Sequence, residues 1–129
     1  MISQKSLVSP NGPNKSMKFL ITGGAGFIGT TLVKEILHSG KHSVVIVDSL
    51  TYASSDEMLE ELEKADGLVF EKVDITNIGE VERVFQIHRP DRVIHLAAES
   101  HVDNSIRSAD SFIETNIMGT YILLKIVAR

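Results

Sequence analysis

Apolar and polar positions alternate in blocks along the chain. From Met17 the run "MKFLIT" is short, apolar and followed by glycines. "FIGTTLVKEILHSG" then spaces Ile28, Leu32, Ile36 and Leu37 as one helical face, with Gly40 as its C-terminal stop. "SVVIVD" is a continuous apolar run closed by an acid, the pattern of a strand buried on both faces. "SSDEMLEELEKADG" opens with cap residues and predicts a short helix, and "LVFEKVD" predicts a third strand, again closed by an acid. "NIGEVERVFQIHRP" predicts a helix stopped near Pro90. "DRVIHLAA" predicts a fourth strand, and "SADSFIETNIMGTYILLKIVAR" a long helix with an apolar face.

This alternation predicts an α/β fold: a doubly wound parallel sheet of four strands with right-handed crossovers, strand four lying beside strand one. A doubly wound nucleotide-binding sheet commonly has about six strands. With four strands, and its last residues inside a helix, the sequence reads as the N-terminal portion of a larger protein. The opening "MISQKSLVSPNGPNKS" is rich in Ser, Asn, Pro and Gly and lacks the apolar centre of a signal peptide. Residues 1–16 are therefore expected to be a disordered tail, and 17–129 the single domain.

Composition narrows the function classes. The 129 residues are 43% hydrophobic and 23% charged, ordinary for a globular protein, with a net charge of −4 and no basic block. Nucleic-acid binding, which relies on clustered Lys and Arg, is disfavoured. The absence of cysteine removes disulfides, zinc-thiolate sites and a cysteine nucleophile, and fits a reducing cytoplasm. No apolar run approaches the ~20 residues of a membrane span.

Candidate chemistry begins at "TGGAGFIG", where Gly23, Gly26 and Gly29 stand between strand one and helix one. A chain that turns tightly, approaches a pyrophosphate and starts a helix with open amides needs residues without side chains at these points. The strand-before, helix-after setting makes this a dinucleotide-binding loop rather than a plain turn. Asp48 closes strand two, where a carboxylate accepts hydrogen bonds from ribose hydroxyls and repels a 2′-phosphate. Ser49 and Leu50 bring no arginine to offset that repulsion, so NAD is expected rather than NADP. Asp74 closes strand three, where it could reach the adenine edge with Ile75 as an apolar wall. It could equally cap the following helix.

"RVIHLAAESHVDNSI" breaks from an apolar run into His95, Glu99, Ser100, His101 and Asp103. His95 and His101 straddle a strand end and lack the i, i+4 pairing of a zinc helix, so no metal is expected. Ser100 is not on a G-x-S-x-G elbow, which disfavours a hydrolase triad. His95, inside the strand, is expected to be a core histidine with its hydrogen bonds satisfied. Ala97 and Ala98 are small enough for a cofactor to lie against the backbone at the carboxyl end of the sheet.

"TGGAGFIG", "DSLTYA", "DIT", "HLAAESHVD" and "FIETNIMGTY", in this order and spacing, resemble the extended short-chain dehydrogenase/reductases, and within them the NAD-dependent nucleotide-sugar dehydratases. The resemblance implies a Rossmann-type sheet and dTDP-glucose as substrate. It further implies oxidation at sugar C4, loss of water across C5 and C6, and return of the hydride to C6, in an enzyme that is a homodimer when complete. It implies that Gly23, Gly26, Phe27, Ile28 and Gly29 hold the NAD pyrophosphate. Asp48, Ser49, Leu50 and Thr51 would hold the adenosine ribose, and Asp74 and Ile75 the adenine. Leu96, Ala97, Ala98, Glu99 and Ser100 would border the nicotinamide half, Ser100 also reaching the sugar nucleotide. Thr115 would touch the cofactor, and Asn116 would order the central helix. Ser54, Ser55 and Asn104 depart from the family pattern. Tyr121 and Lys125 spell the family's Y-x-x-x-K, but on the helix before the one that carries the catalytic pair. They are expected to be a packing residue and a solvated one, leaving no catalytic residue in this chain. An epimerase or decarboxylase of the same group, and a short non-catalytic NAD-binding module, are the rival expectations.

Overall fold

A computed structural model describes residues 15–50, 60–61, 63–97, 110 and 113–128. Four parallel strands form one sheet: β1 (Lys18–Thr22), β2 (Ser43–Asp48), β3 (Leu68–Lys72) and β4 (Arg92–His95), in the order β3-β2-β1-β4. The predicted adjacency of strands one and four is therefore present, and the order reverses between β1 and β4. Registers align Thr22 with Val47 on one side and with His95 on the other, so these residues mark one level near the carboxyl ends.

Alternation along the strands supplies both faces with apolar side chains. Ile21, Val44 and Ile46 pack with Val33 of α1 (Phe27–His38) on one face. Leu20, Val45 and Val47 pack on the other face with Val81 and Val84 of α2 (Ile78–His88) and with Ile122, Leu123 and Ile126 of α3 (Thr120–Val127). Helices thus cover both faces, the doubly wound arrangement that the alternation predicts.

Local chemistry sets the helix ends. Gly40 takes φ +68° and donates its N–H to Leu37 O at 3.0 Å, the stop expected for α1. α2 ends at His88, with Arg89 in the left-handed region (φ 46°) immediately before Pro90. Of the helix predicted ahead of β3, Glu60, Glu61 and Glu63 are helical, and its start lies outside the described residues.

Four expectations need correction. On α1 the buried centre is Gly29, Thr30 and Val33, with Leu32, Ile36 and Leu37 beside it, while Ile28 is 69% exposed. Ile28 lies five residues before Val33, which at 3.6 residues per turn sets it toward the opposite side. β4 stops at His95 rather than at Ala98, because β1 turns away at Gly23 and leaves Ala97 no strand to pair with. The last helix is not regular: Glu114–Gly119 is a π-helical turn that leads into α3. Tyr121 on α3 is 56% exposed rather than packed, since Ile122, Leu123 and Ile126 take the inward face.

Candidate functional site

The strand order reverses between β1 and β4, and at such a reversal an open α/β sheet receives its ligands beyond the carboxyl ends of the strands. Gly23 begins the loop after β1, with φ +70° and its N–H donated to Val47 O at 2.8 Å. A Cβ on Gly23 would lie 2.7 Å from Ala97 N, so the β1 and β4 loops touch backbone to backbone. A Cβ on Gly29 would lie 2.2 Å from Gly23 O, which fixes the start of α1 against the turn that precedes it. Gly26 is looser: its Cβ would meet only Gly23 O, at 3.3 Å. Gly26 is also the N-cap residue, and it has no side chain to accept from the first-turn amides. The first turn of α1 carries no acid either, so the helix's own residues leave its partial positive charge unmatched. Phe27 and Ile28 stand exposed beside it, at 84% and 69%.

Asp48 lies at the end of β2, half-buried, and braces the same loop. Its Oδ2 accepts from Ala25 N–H at 3.1 Å and its Oδ1 from Leu50 N–H at 2.8 Å. Leu50 takes φ 56°, a left-handed conformation that a leucine rarely adopts. Ser49 is half-buried between them, and Thr51 lies outside the described residues.

After β3, Asp74 is exposed, and its Oδ1 accepts from Thr76 N–H (2.9 Å) and Thr76 Oγ1–H (2.8 Å). It does not cap α2. That role belongs to Asn77, whose Oδ1 accepts from Glu80 N–H at 3.2 Å. Ile75 is turned into the core, with its Cδ1 2.5 Å from where a Cβ on Gly119 would sit.

His95 has both ring nitrogens satisfied, as expected of a core histidine. Nδ1 is 2.6 Å from Thr22 Oγ1, and Nε2 is 2.9 Å from Thr120 Oγ1. Burial pushes its pKa below the ordinary histidine value, because the charged ring loses hydration. Thr22 Oγ1 also accepts from Leu96 N–H (3.1 Å) and Ala97 N–H (3.2 Å), so a fully buried hydroxyl takes over where the strand ladder stops. Thr115 lies half-buried in the π-helical turn. Ala98, Glu99 and Ser100 lie outside the described residues, as do His101 and Asn104. Thr22, Thr120 and Ala25 were not legible as site residues, since each acts through a partner distant in sequence.

A reversing parallel sheet, a glycine turn at the reversal and an open helix N-terminus define a Rossmann-type dinucleotide-binding domain. A sequence profile described as GDP-mannose 4,6 dehydratase matches residues 20–129. The chain belongs to that family. It is 52% identical over 109 residues to dTDP-glucose 4,6-dehydratase 1 of Escherichia coli, covering 84% of this chain and 30% of that relative. The chain thus spans less than a third of the length of that relative. The structure matches dTDP-glucose 4,6-dehydratase DesIV of Streptomyces venezuelae, solved with NAD bound, at TM-score 0.76 and 40% identity over 85% of this chain and 35% of that one. It matches UDP-glucose 4-epimerase of Thermotoga maritima, solved with UDP-glucose, at TM-score 0.73 and 37% identity over 84% and 33%. Among the described residues no helix is long and apolar enough to cross a membrane.

Proposed function

We propose that the chain is the NAD-binding portion of a dTDP-glucose 4,6-dehydratase, a lyase acting on a nucleotide sugar. The observation that carries this is the uncapped α1 N-terminus behind a backbone-packed glycine turn at the strand-order reversal. Such a terminus suits a pyrophosphate, whose charge would complete what the helix's own residues leave open. The 52% identity to a dehydratase over most of this chain favours dehydration over epimerisation.

Gly23, Gly26, Phe27, Ile28 and Gly29 would hold the pyrophosphate through backbone amides. Asp48 would receive the ribose hydroxyls on carboxylate lone pairs not used by Ala25 and Leu50, with Ser49, Leu50 and Thr51 around them. Asp74 and the backbone of Ile75 would border the adenine, since the Ile75 side chain is buried in the core and forms no wall for it. Leu96, Ala97, Ala98, Glu99, Ser100 and Thr115 would border the nicotinamide half, and Ser100 the sugar nucleotide. When bound, NAD supplies the hydride acceptor for oxidation at sugar C4 and the donor for its return to C6. This chain's own residues bind and orient: the glycine turn sets the depth of the pyrophosphate, and Asp48 holds both the turn and the ribose. Tyr121, exposed on α3, is assigned no acid–base role. Residues 17–129 act as one cofactor-binding unit of a cytoplasmic homodimer.

Amide chemical shifts recorded during an NAD titration test the proposal. Gly23 through Gly29, Leu50, Leu96 and Ala97 should shift most, and Val81 and Val84 on α2 should not. Shifts confined to α2 and β3 would contradict it.

A further inference from the structure

We propose that His95 is a positioning residue for the strand-end site: fixed as the neutral Nε2–H tautomer, it fastens the π-helical turn Glu114–Gly119 to the ends of β1 and β4 through Thr120 and Thr22. The proposal rests on the assignment above, in which Thr115, Leu96 and Ala97 border the cofactor.

Counting protons gives the tautomer. Thr120 Oγ1 carries one hydrogen and donates it to Asn116 O at 2.9 Å. His95 Nε2, 2.9 Å from the same oxygen, must then be the donor to Thr120. At the other end, Thr22 Oγ1 faces two amide donors. Ala97 N–H points to it at 3.2 Å, and Leu96 N–H is shared between it (3.1 Å) and Thr22 O (3.0 Å). With its lone pairs occupied, the hydroxyl has its proton to offer, and His95 Nδ1 at 2.6 Å receives it. The direction is unbroken: Thr22 O–H to Nδ1, Nε2–H to Thr120, Thr120 O–H to Asn116 C=O. The opposite tautomer would aim Nδ1–H at a hydroxyl oxygen already facing two amides.

The relay ties the π-helical turn to β1 and β4, two strands that are already paired in the sheet. It begins where β1 becomes the glycine turn, passes through the last residue of β4 and ends inside the π-helical turn. A π-helical turn is a rare register, commonly found at functional sites. Here the end of the turn and the start of α3 are held at two consecutive positions: Gly119, which admits the Ile75 side chain from the loop after β3, and Thr120, which receives the His95 proton. Thr115 stands in that turn, so its position relative to Leu96 and Ala97 depends on the same bonds.

Nitrogen-15 NMR of the histidine side chains in this chain reads the tautomer without any ligand. The expected result at neutral pH is an unprotonated Nδ1 and a protonated Nε2 on His95. A protonated Nδ1, or an imidazolium, overturns the relay. Hydrogen exchange in Thr120→Val and Thr120→Ser then reads the positioning. Valine removes the acceptor at nearly constant shape, and exchange across residues 114–119 and at Ala97 should rise about tenfold, the scale of one lost hydrogen bond. Serine keeps the hydroxyl and should restore protection. Equal protection in the valine and serine variants overturns the proposal, whatever NAD does. NAD affinity should fall about tenfold in Thr120→Val and recover in Thr120→Ser. A wild-type chain that binds no NAD contradicts the proposed function, while the tautomer and exchange data still decide the relay.

Discussion

Helices α1 and α2 both start beyond the carboxyl end of a strand, yet their first turns are finished differently. At α2 the Asn77 side chain accepts from Glu80 N–H, and Glu80 adds a carboxylate to the first turn. The helix supplies its own cap and its own counter-charge. At α1 the cap position is Gly26, no side chain accepts from the first-turn amides, and no acid is present. The sequence spends glycine on α1 where asparagine would stabilise the helix better by its own means. Helix termini need partners for their amides, and at α1 the proposed pyrophosphate would supply them.

The sharpest way to break this contrast is Gly29→Ala. Its Cβ would lie 2.2 Å from Gly23 O and 2.7 Å from Gly24 Cα, both backbone atoms that cannot step aside singly. Overpacking of this kind should cost about 3 kcal/mol and abolish NAD binding, read by thermal unfolding and calorimetry. Asn77→Ala should cost about 1 kcal/mol by removing the α2 cap, with NAD affinity unchanged. Gly26→Asp sharpens the comparison by making α1 resemble α2. Gly26 has φ −77° and ψ 178°, an extended backbone that any residue adopts, and an added Cβ needs only a small shift of Gly23 O, 3.3 Å away, for the carboxylate to cap the helix and offset its dipole. Stability should rise by about 0.5 kcal/mol while NAD affinity falls at least tenfold, because the new charge repels the pyrophosphate. A variant both more stable and still binding would break the link between the open terminus and the ligand.

The smallest expected effect is on pH dependence. The His95 pKa is lowered in the fold by burial, so the unfolded chain takes up its proton first as pH falls. The stability this contributes is complete above the ordinary histidine value of about 6.5 and declines as pH falls toward the lowered one. The groups bonded to the ring, Thr22 and Thr120, do not titrate in this range. Glu71 behaves alike at lower pH. Its pKa is lowered first by the hydrogen bond from Arg83 and then by that from His88, so its contribution holds above the ordinary glutamate range and is lost below it. Unfolding midpoints measured across both windows should show two declines. The upper one should be missing in His95→Gln.

Much of this was legible in the sequence. Continuous apolar runs gave β1 and β2, and the regular alternation gave the parallel sheet and its two covered faces. The glycine turn was legible because its constraint is local: Gly29, in the first turn of α1, meets Gly23 only six residues earlier. Asp74 and Asn77 were harder to separate, since Asp and Asn serve equally in turns and caps. What decides between them is Asn77 meeting Glu80 N–H while Asp74 folds back on Thr76. The relay through His95 was half legible. A histidine within an apolar strand signals buried nitrogens needing partners, but Thr22 and Thr120 lie 73 and 25 residues away. The π-helical turn left no mark either, because Ile122, Leu123 and Ile126 keep an ordinary helical spacing beyond it.

The central claim is that this strand-end site binds NAD and that Asp48 selects it. Titration calorimetry of the chain with NAD and NADP, in wild type and Asp48→Asn, tests that claim most directly. Asparagine has one acceptor oxygen for the two amides that Asp48 holds, so it keeps the Ala25 or the Leu50 bond, loses the other, and removes the charge facing a 2′-phosphate. The account predicts that NAD binds at least about tenfold tighter than NADP, a difference of about 1.4 kcal/mol, and that Asp48→Asn narrows the gap. Equal affinities in the wild-type chain, or no heat with NAD, would contradict it.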